Sequence, residues 1–234
     1  MGDVTFVALV GGGGKTSLSE FLARKGTASG RRVLITTTTK IWAREPFTTL
    51  DRKGWKEALT APLVRVGKSN EAGKLTGLTP DEIREISAAF DLVLIEADGA
   101  KGLPLKFPSD FEPVIPSFSE KVVVVAGLDG LAERVNEKVF RWPLFSKASG
   151  VSGDDLVTPD IYLRLFEPDA LFKGVEPDKA LIVLNKYDAC RRREAMGVAA
   201  RLGGQGRNVV IASIRHSLFY WVERMGRRQT RADE

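Results

Sequence analysis

Apolar residues gather into short continuous runs at residues 4–10, 32–36, 92–95, 122–126, 181–184 and 209–212, with a weaker run at 63–66. These runs are rich in Val, Ile and Leu and do not alternate with polar positions. That is the pattern of strands covered on both faces of a parallel sheet. Between them the spacing changes. Residues 16–25 bring Leu18, Phe21 and Leu22 to one side of a helix. Thr79-Pro80-Asp81-Glu82 sets a capping threonine, a first-turn proline and two acids ahead of Ile83 and Ile86. Thr158-Pro159-Asp160 repeats that start before Ile161, Leu163 and Leu165. Strands alternating with helices predict an α/β fold, a doubly wound and mostly parallel sheet with helices on both faces. Residues 100–178 hold one clear strand among several prolines and read as an elaboration within a single domain over residues 1–226. Residues 227–234 have no apolar anchor and are expected to be a disordered tail.

Composition narrows the classes. Of 234 residues, 43% are hydrophobic and 28% charged, enough apolar surface to build a core and an argument against general disorder. The net charge of +5 suits a phosphate ligand. Arg191, Arg192, Arg193, Arg201 and Arg207 form the densest basic stretch, but no aromatics interleave with them. They read as a solvated helix face, and no nucleic-acid partner is expected. A single cysteine, Cys190, and a single histidine, His216, exclude an internal disulfide and a Cys/His zinc site. They leave a nucleophilic triad only if His216 is its base. The first run is too short for a signal peptide, and none approaches the ~20 residues of a membrane span. A cytoplasmic protein without membrane contact is expected.

The first strand runs into Gly11-Gly12-Gly13-Gly14-Lys15-Thr16, and a helix follows. Glycines let backbone N–H groups from Gly11 to Ser17 converge on an anion at a helix N-terminus. Lys15 then bridges β- and γ-phosphates, and the Thr16 hydroxyl takes Mg²⁺. Leu9 stands where the longer G-x-x-x-x-G-K-[S/T] spacing needs glycine. The match is to the shorter G-G-x-G-K-T form of ATPases and GTPases related to MinD, dethiobiotin synthetase and nickel-insertion GTPases. Val10 occupies the place where many of these carry a second lysine. The bland alternative is a glycine-rich turn that holds nothing.

Three further stretches fall at strand ends. Residues 92–95 lead into Glu96-Ala97-Asp98-Gly99, where an acid organises a Mg²⁺ shell, orients a water or acts as a base toward a second substrate. Which of Glu96 and Asp98 does which is open, and both could be ordinary turn residues. Thr36-Thr37-Thr38-Thr39-Lys40 ends the second strand, and Thr38 is a candidate to close on Mg²⁺. Part of that run is also simply good strand sequence. Asn185-Lys186-Tyr187-Asp188 has the N-K-x-D form of guanine recognition, in which the Asp carboxylate accepts from guanine N1–H and the N2 amine. Ser213 lies one strand later, at the place of a backbone contact to guanine O6. Alternatively, Asp188 caps the next helix.

Together these segments, with Ala100-Lys101-Gly102, Ala126-Gly127-Leu128-Asp129-Gly130 and Val135-Asn136-Glu137, resemble the YqeC-type family of P-loop proteins. The resemblance spans residues 4–215. It implies nucleotide hydrolysis in an accessory factor for selenium-dependent molybdenum hydroxylases, acting with the proteins that mature their cofactor. With Cys190 the sole thiol, such a protein powers or gates a step rather than carrying selenium through paired thiols. The leading expectation is a Mg²⁺-dependent NTPase, with GTP favoured over ATP, in which Lys15, Glu96 and Asp98 serve catalysis. Intrinsic turnover is expected to be slow, because no arginine is obviously poised as a finger. A small-molecule kinase of the same fold and a non-hydrolysing nucleotide-binding scaffold are the alternatives. A homodimer is left open. Lys101, Lys106 and Asp129 are candidates for a second site near the γ-phosphate.

Overall fold

The computed structural model describes residues 4–222, so the tail expected at 227–234 lies outside the described residues. Among those residues nine strands make the central sheet: β1 (Thr5–Gly11), β2 (Val33–Thr37), β3 (Thr48–Thr49), β4 (Leu63–Gly67), β5 (Leu92–Glu96), β6 (Lys121–Gly127), β7 (Ala180–Asn185), β8 (Val209–Ser213) and β9 (Leu218–Val222). Their spatial order is β9-β8-β7-β6-β1-β5-β2-β4-β3. Every neighbouring pair is parallel except β8 and β9. All seven apolar runs are strands, with ends within one residue of the expected positions. The reason is burial: β2, β5 and β8 are covered at every position. The two-residue β3 and the antiparallel edge strand β9 were not expected. In β9, Leu218, Phe219, Tyr220 and Trp221 remain exposed, so its apolar composition does not come from two-sided burial.

Among the described residues five helices of six or more residues accompany the sheet: α1 (Lys15–Ala28), α2 (Pro80–Ser87), α3 (Trp142–Ser149), α4 (Pro159–Arg164) and α5 (Arg192–Gly204). Leu18 and Ala23 of α1 pack on Leu9, Leu94, Val123 and Val183. Ile83 and Ile86 of α2 join Leu34, Val64, Val93 and Ile95, of which Val93 and Ile95 alternate with Leu94 along β5. Residues 100–178 add Phe145, Tyr162 and Phe166 to a core that includes Val124 and Leu184 of the sheet and Val198 and Leu202 of α5. Arg191, Arg192 and Arg193 are exposed at the start of α5. Among the described residues no helix is long and apolar enough to cross a membrane.

Connections from β1 run first to the β5–β2 side and later to the β6–β7 side. The strand order therefore reverses at β1, and its carboxyl end is the topological switch point where doubly wound sheets form their clefts. Two small sheets complete the structure. Ile41–Trp42 and Asn70–Glu71 both pair with Lys74–Leu75, while Leu105–Lys106 pairs with Val139–Phe140.

The start of α2 matches the sequence signal. The Thr79 hydroxyl accepts from Glu82 N–H at 3.2 Å, and the Glu82 carboxylate accepts from Thr79 N–H at 2.8 Å. Thr79→Ala removes one arm of this capping box. It is expected to lower unfolding free energy by about 1 kcal/mol, read in urea as a lower midpoint with an unchanged slope.

Candidate functional site

Between β1 and α1 the chain turns where a side chain would not fit. Gly11 has φ +96°, and a Cβ there would stand 2.2 Å from the Val125 carbonyl oxygen. Gly13 has φ +70°, and its Cβ would meet Gly127 N at 2.2 Å. The glycines thus let the loop lie against β6. Three of its amides are taken by the protein itself. Gly11 N–H donates to Asp98 Oδ2 at 2.9 Å, Gly12 N–H to Val125 O at 2.9 Å and Gly13 N–H to Leu103 O at 3.0 Å. The convergence of every amide from Gly11 to Ser17 is therefore narrowed to those from Gly14 onward. Gly14 caps the fourteen-residue α1 with no side-chain acceptor, and there is no acid in the first turn. The leading N–H groups of a helix have no partner within it. Here Gly14, Lys15, Thr16 and Ser17 line a cavity of about 500 Å³. A helix start without a side-chain cap, beside an ammonium group, has the donors and the field that suit an anion.

The charges below that cavity alternate. Lys15 donates to the Gly11 carbonyl and pairs with Asp98 at 3.0 Å. Lys106 pairs with Asp98 at 3.0 Å, donates to Gly99 O at 2.7 Å and meets Glu112 at 2.6 Å. Arg141 binds the same Glu112 oxygen. Burial works against ionisation of Glu112, but the bonds from Arg141 and Lys106 outweigh it and hold the carboxyl below its usual range.

This arrangement separates the two acids that the sequence left equivalent. Both oxygens of Asp98 are engaged, by a backbone amide and two ammonium groups. Glu96 lies between Leu9 and Thr37 in the sheet and is buried, and its Oε1 has no partner. Burial raises its pKa, partly offset by Lys15 and by the Thr16 hydroxyl. A partnerless buried carboxylate oxygen next to a hydroxyl fits a hard cation that brings its own further oxygen ligands. Among the described residues no group of three His, Cys, Asp or Glu could hold a metal, so Thr16 and Glu96 would supply only part of a shell. Thr38 does not join them. Its hydroxyl donates to Val114 O at 2.8 Å, and it is not part of the cavity wall. Thr36 and Thr37 likewise spend their hydroxyls on the carbonyls of Val66 and Glu96.

At the end of β7, Asn185 donates to Gly13 O at 2.8 Å and accepts from Ile214 N–H at 3.1 Å. Lys186, at φ +65°, pairs with Asp129 at 2.7 Å and lines the cavity. Asp188 does not cap α5, whose N-cap is Arg191. Instead it accepts from the Ser213 hydroxyl, the main cause of its lowered pKa, and stands 3.7 Å from His216. Asp188 and Ser213 lie outside the cavity wall.

The structure also splits the trio proposed for a second site. Lys101 lines the cavity, Lys106 is fully buried in the ion chain, and Asp129 is held by Lys186. In their place stand Trp42, Arg44, Lys74, Phe140 and Arg141, which sequence reasoning did not single out. The local signal was faint: basic residues set beside aromatics in Trp42-Ala43-Arg44 and Phe140-Arg141.

A family model described as YqeC protein matches residues 7–143, more than half of the chain. The chain belongs to the YqeC family. It is 36% identical over 204 residues to "Uncharacterized protein YqeC" of Escherichia coli (strain K12), a match covering 80% of this chain and 77% of that protein. The YqeC match includes the glycine loop, Glu96 and the whole charge chain from Lys15 to Arg141. Asn185 to Asp188 lie beyond it.

Glu96 predicts an unusual stability response. Its raised pKa means that the folded state holds the proton more tightly than the unfolded chain. That contribution is lost as pH rises from the ordinary carboxylate range through the raised value. Glu96→Gln removes the loss. The ligand-free variant is expected to be more stable than the parent by about 1–3 kcal/mol at neutral pH, the scale of one unsatisfied buried group. Thermal unfolding at acid and neutral pH checks this, and the gap between variant and parent should widen as pH rises.

Proposed function

We propose that this YqeC-family protein binds and hydrolyses a nucleoside triphosphate with Mg²⁺, preferring GTP. The observation that carries the reading is the uncapped start of α1, opening with Lys15 onto a basic cavity beside the partnerless oxygen of Glu96. In this reading the N–H groups of Gly14 to Ser17 take phosphate oxygens, and Lys15 exchanges the Gly11 carbonyl for the β- and γ-phosphates. Thr16 and Glu96 would hold Mg²⁺, which when bound offsets charge on the phosphate oxygens. Asp98 keeps Lys15 in place and leaves water positioning to other groups, since its own oxygens are occupied.

The base is read at Asp188. Its carboxylate turns from the Ser213 hydroxyl to guanine N1–H and the N2 amine, while adenine would leave it without a donor. Service to the maturation of a selenium- or molybdenum-containing hydroxylase cofactor is the physiological role we attach to this activity, on the strength of the family resemblance.

Calorimetry with GTP, ATP and CTP, with and without Mg²⁺, tests the reading. GTP with Mg²⁺ is expected to bind tightest, and no heat from any of the three would end the proposal. Lys15→Ala should lower orthophosphate release by about 100-fold, in line with loss of a transition-state contact. Asp188→Asn should favour xanthosine over guanosine triphosphate by about ten-fold or more, as expected when a site built on hydrogen bonds changes its donor pattern. A variant indifferent to the base would discard the GTP preference alone.

A further inference from the structure

The cavity continues past the glycine loop into a part that the proposed nucleotide does not use. A nucleotide with its phosphates on α1 and its base at Asp188 leaves the cavity by way of Lys186, because Asp188 and Ser213 are outside its wall. The remaining walls come from four separate stretches: Trp42 with Arg44, Lys74, the turn at Lys101, and Phe140 with Arg141. Among the described residues Arg44 faces the Glu96 carboxylate across the cavity without a direct ion pair, while Lys74 and Lys101 are set against aromatic rings. The acid at this end, Glu112, is already matched by Lys106 and Arg141. The compartment therefore carries more cations than acids.

Its cations are also placed in a particular way. Lys74 Nζ stands 4.6 Å from the Trp42 ring centroid, Lys101 Nζ 5.5 Å from that of Phe140, and the Arg141 guanidinium 4.7 Å from Phe140. Cation–π contacts hold the charged heads against flat apolar surfaces. Trp42 is 66% exposed, although it sits on a cavity wall. Inorganic phosphate would neutralise the charges and leave those rings wet. A ligand with both an anionic group and a carbon skeleton satisfies both.

We propose that this outer compartment binds a small organic anion alongside the nucleotide, which makes the protein a two-ligand device. The inference rests on the nucleotide reading to the extent that the loop half is reserved for phosphates. The ligand reaches the terminal phosphate from the side of Lys101 and Arg141, and the ion chain from Arg141 to Lys15 runs beneath both ligands.

The test uses the full chain and pyranine, 8-hydroxypyrene-1,3,6-trisulfonate, as a planar anionic probe read by fluorescence anisotropy. One equivalent is expected to bind. Arg44→Ala with Lys74→Ala, and separately Lys101→Ala, should each weaken binding about ten-fold, the effect of losing a favourable charge contact. A control that removes Arg191, Arg192 and Arg193 together as alanines, distant in sequence and outside the cavity wall, should bind as the parent does. Unfolding midpoints near the parent's confirm that the variants are folded. Trp42→Leu should weaken pyranine but not inorganic pyrophosphate. Guanosine 5′-O-(3-thiotriphosphate) affinity should change less than about two-fold in the outer-compartment variants. Equal loss in the arginine control, or equal loss of both probes in Trp42→Leu, overturns the proposal. So does displacement of pyranine by the nucleotide together with parallel loss of nucleotide affinity in Lys101→Ala. If no nucleotide binds but the pyranine pattern holds, the nucleotide reading falls and the organic-anion site stands.

Discussion

Two ammonium groups and a carboxylate, all nearly removed from water, meet at Asp98. Stripping such groups of solvent costs several kcal/mol for each ion unless geometry and additional hydrogen bonds compensate. Asp98 meets the requirement on both sides: Lys15 and Lys106 flank it at 3.0 Å each, and Gly11 N–H closes on the same carboxylate. The three partners come from different places. Lys15 opens α1, Gly11 ends β1, and Lys106 belongs to a small sheet in the elaborated middle of the chain. One carboxylate at the tip of β5 therefore fixes the loop, the first helix and the insertion relative to one another. Every other property of the cavity presupposes that lock.

The parts of the molecule that sequence reasoning reached are those set by local physics. Continuous Val-Ile-Leu runs mark two-sided burial whatever surrounds them, so seven of the eight parallel strands among the described residues could be placed within a residue. The Thr79 box and the tetraglycine turn carry their own short-range signatures. What escaped depends on distant chain segments arriving. Glu96 and Asp98 look alike in a strand-end tetrapeptide, and only the arrival of Gly11, Lys15 and Lys106 at Asp98 tells the two apart. Thr38 looked available until Val114, 76 residues away, offered its carbonyl. Arg44, Lys74 and Arg141 share a cavity only because two small sheets fold over the sheet edge. Strand β9 was missed for the opposite reason, since an exposed antiparallel edge need not follow the buried pattern used to find the rest.

Charge is distributed less evenly than a net +5 suggests. Seven Lys or Arg residues (15, 40, 44, 74, 101, 141 and 186) line the one cavity against three acids (96, 98 and 112). Low-dielectric walls concentrate the resulting field and raise the local concentration of anions. The Arg191–Arg193 stretch, by contrast, faces solvent, where screening makes charge inexpensive and uninformative.

Asn185 spans two territories with a single side chain, one arm on the Gly13 carbonyl and the other on the Ile214 amide. Its effect is that of a tie-rod. Displacement of the glycine turn pulls on the backbone just past β8, and movement there is returned to the turn. Loss of this residue would thus loosen the glycine turn and the end of β8 at once, so a phenotype at Asn185 reports the stiffness of the frame.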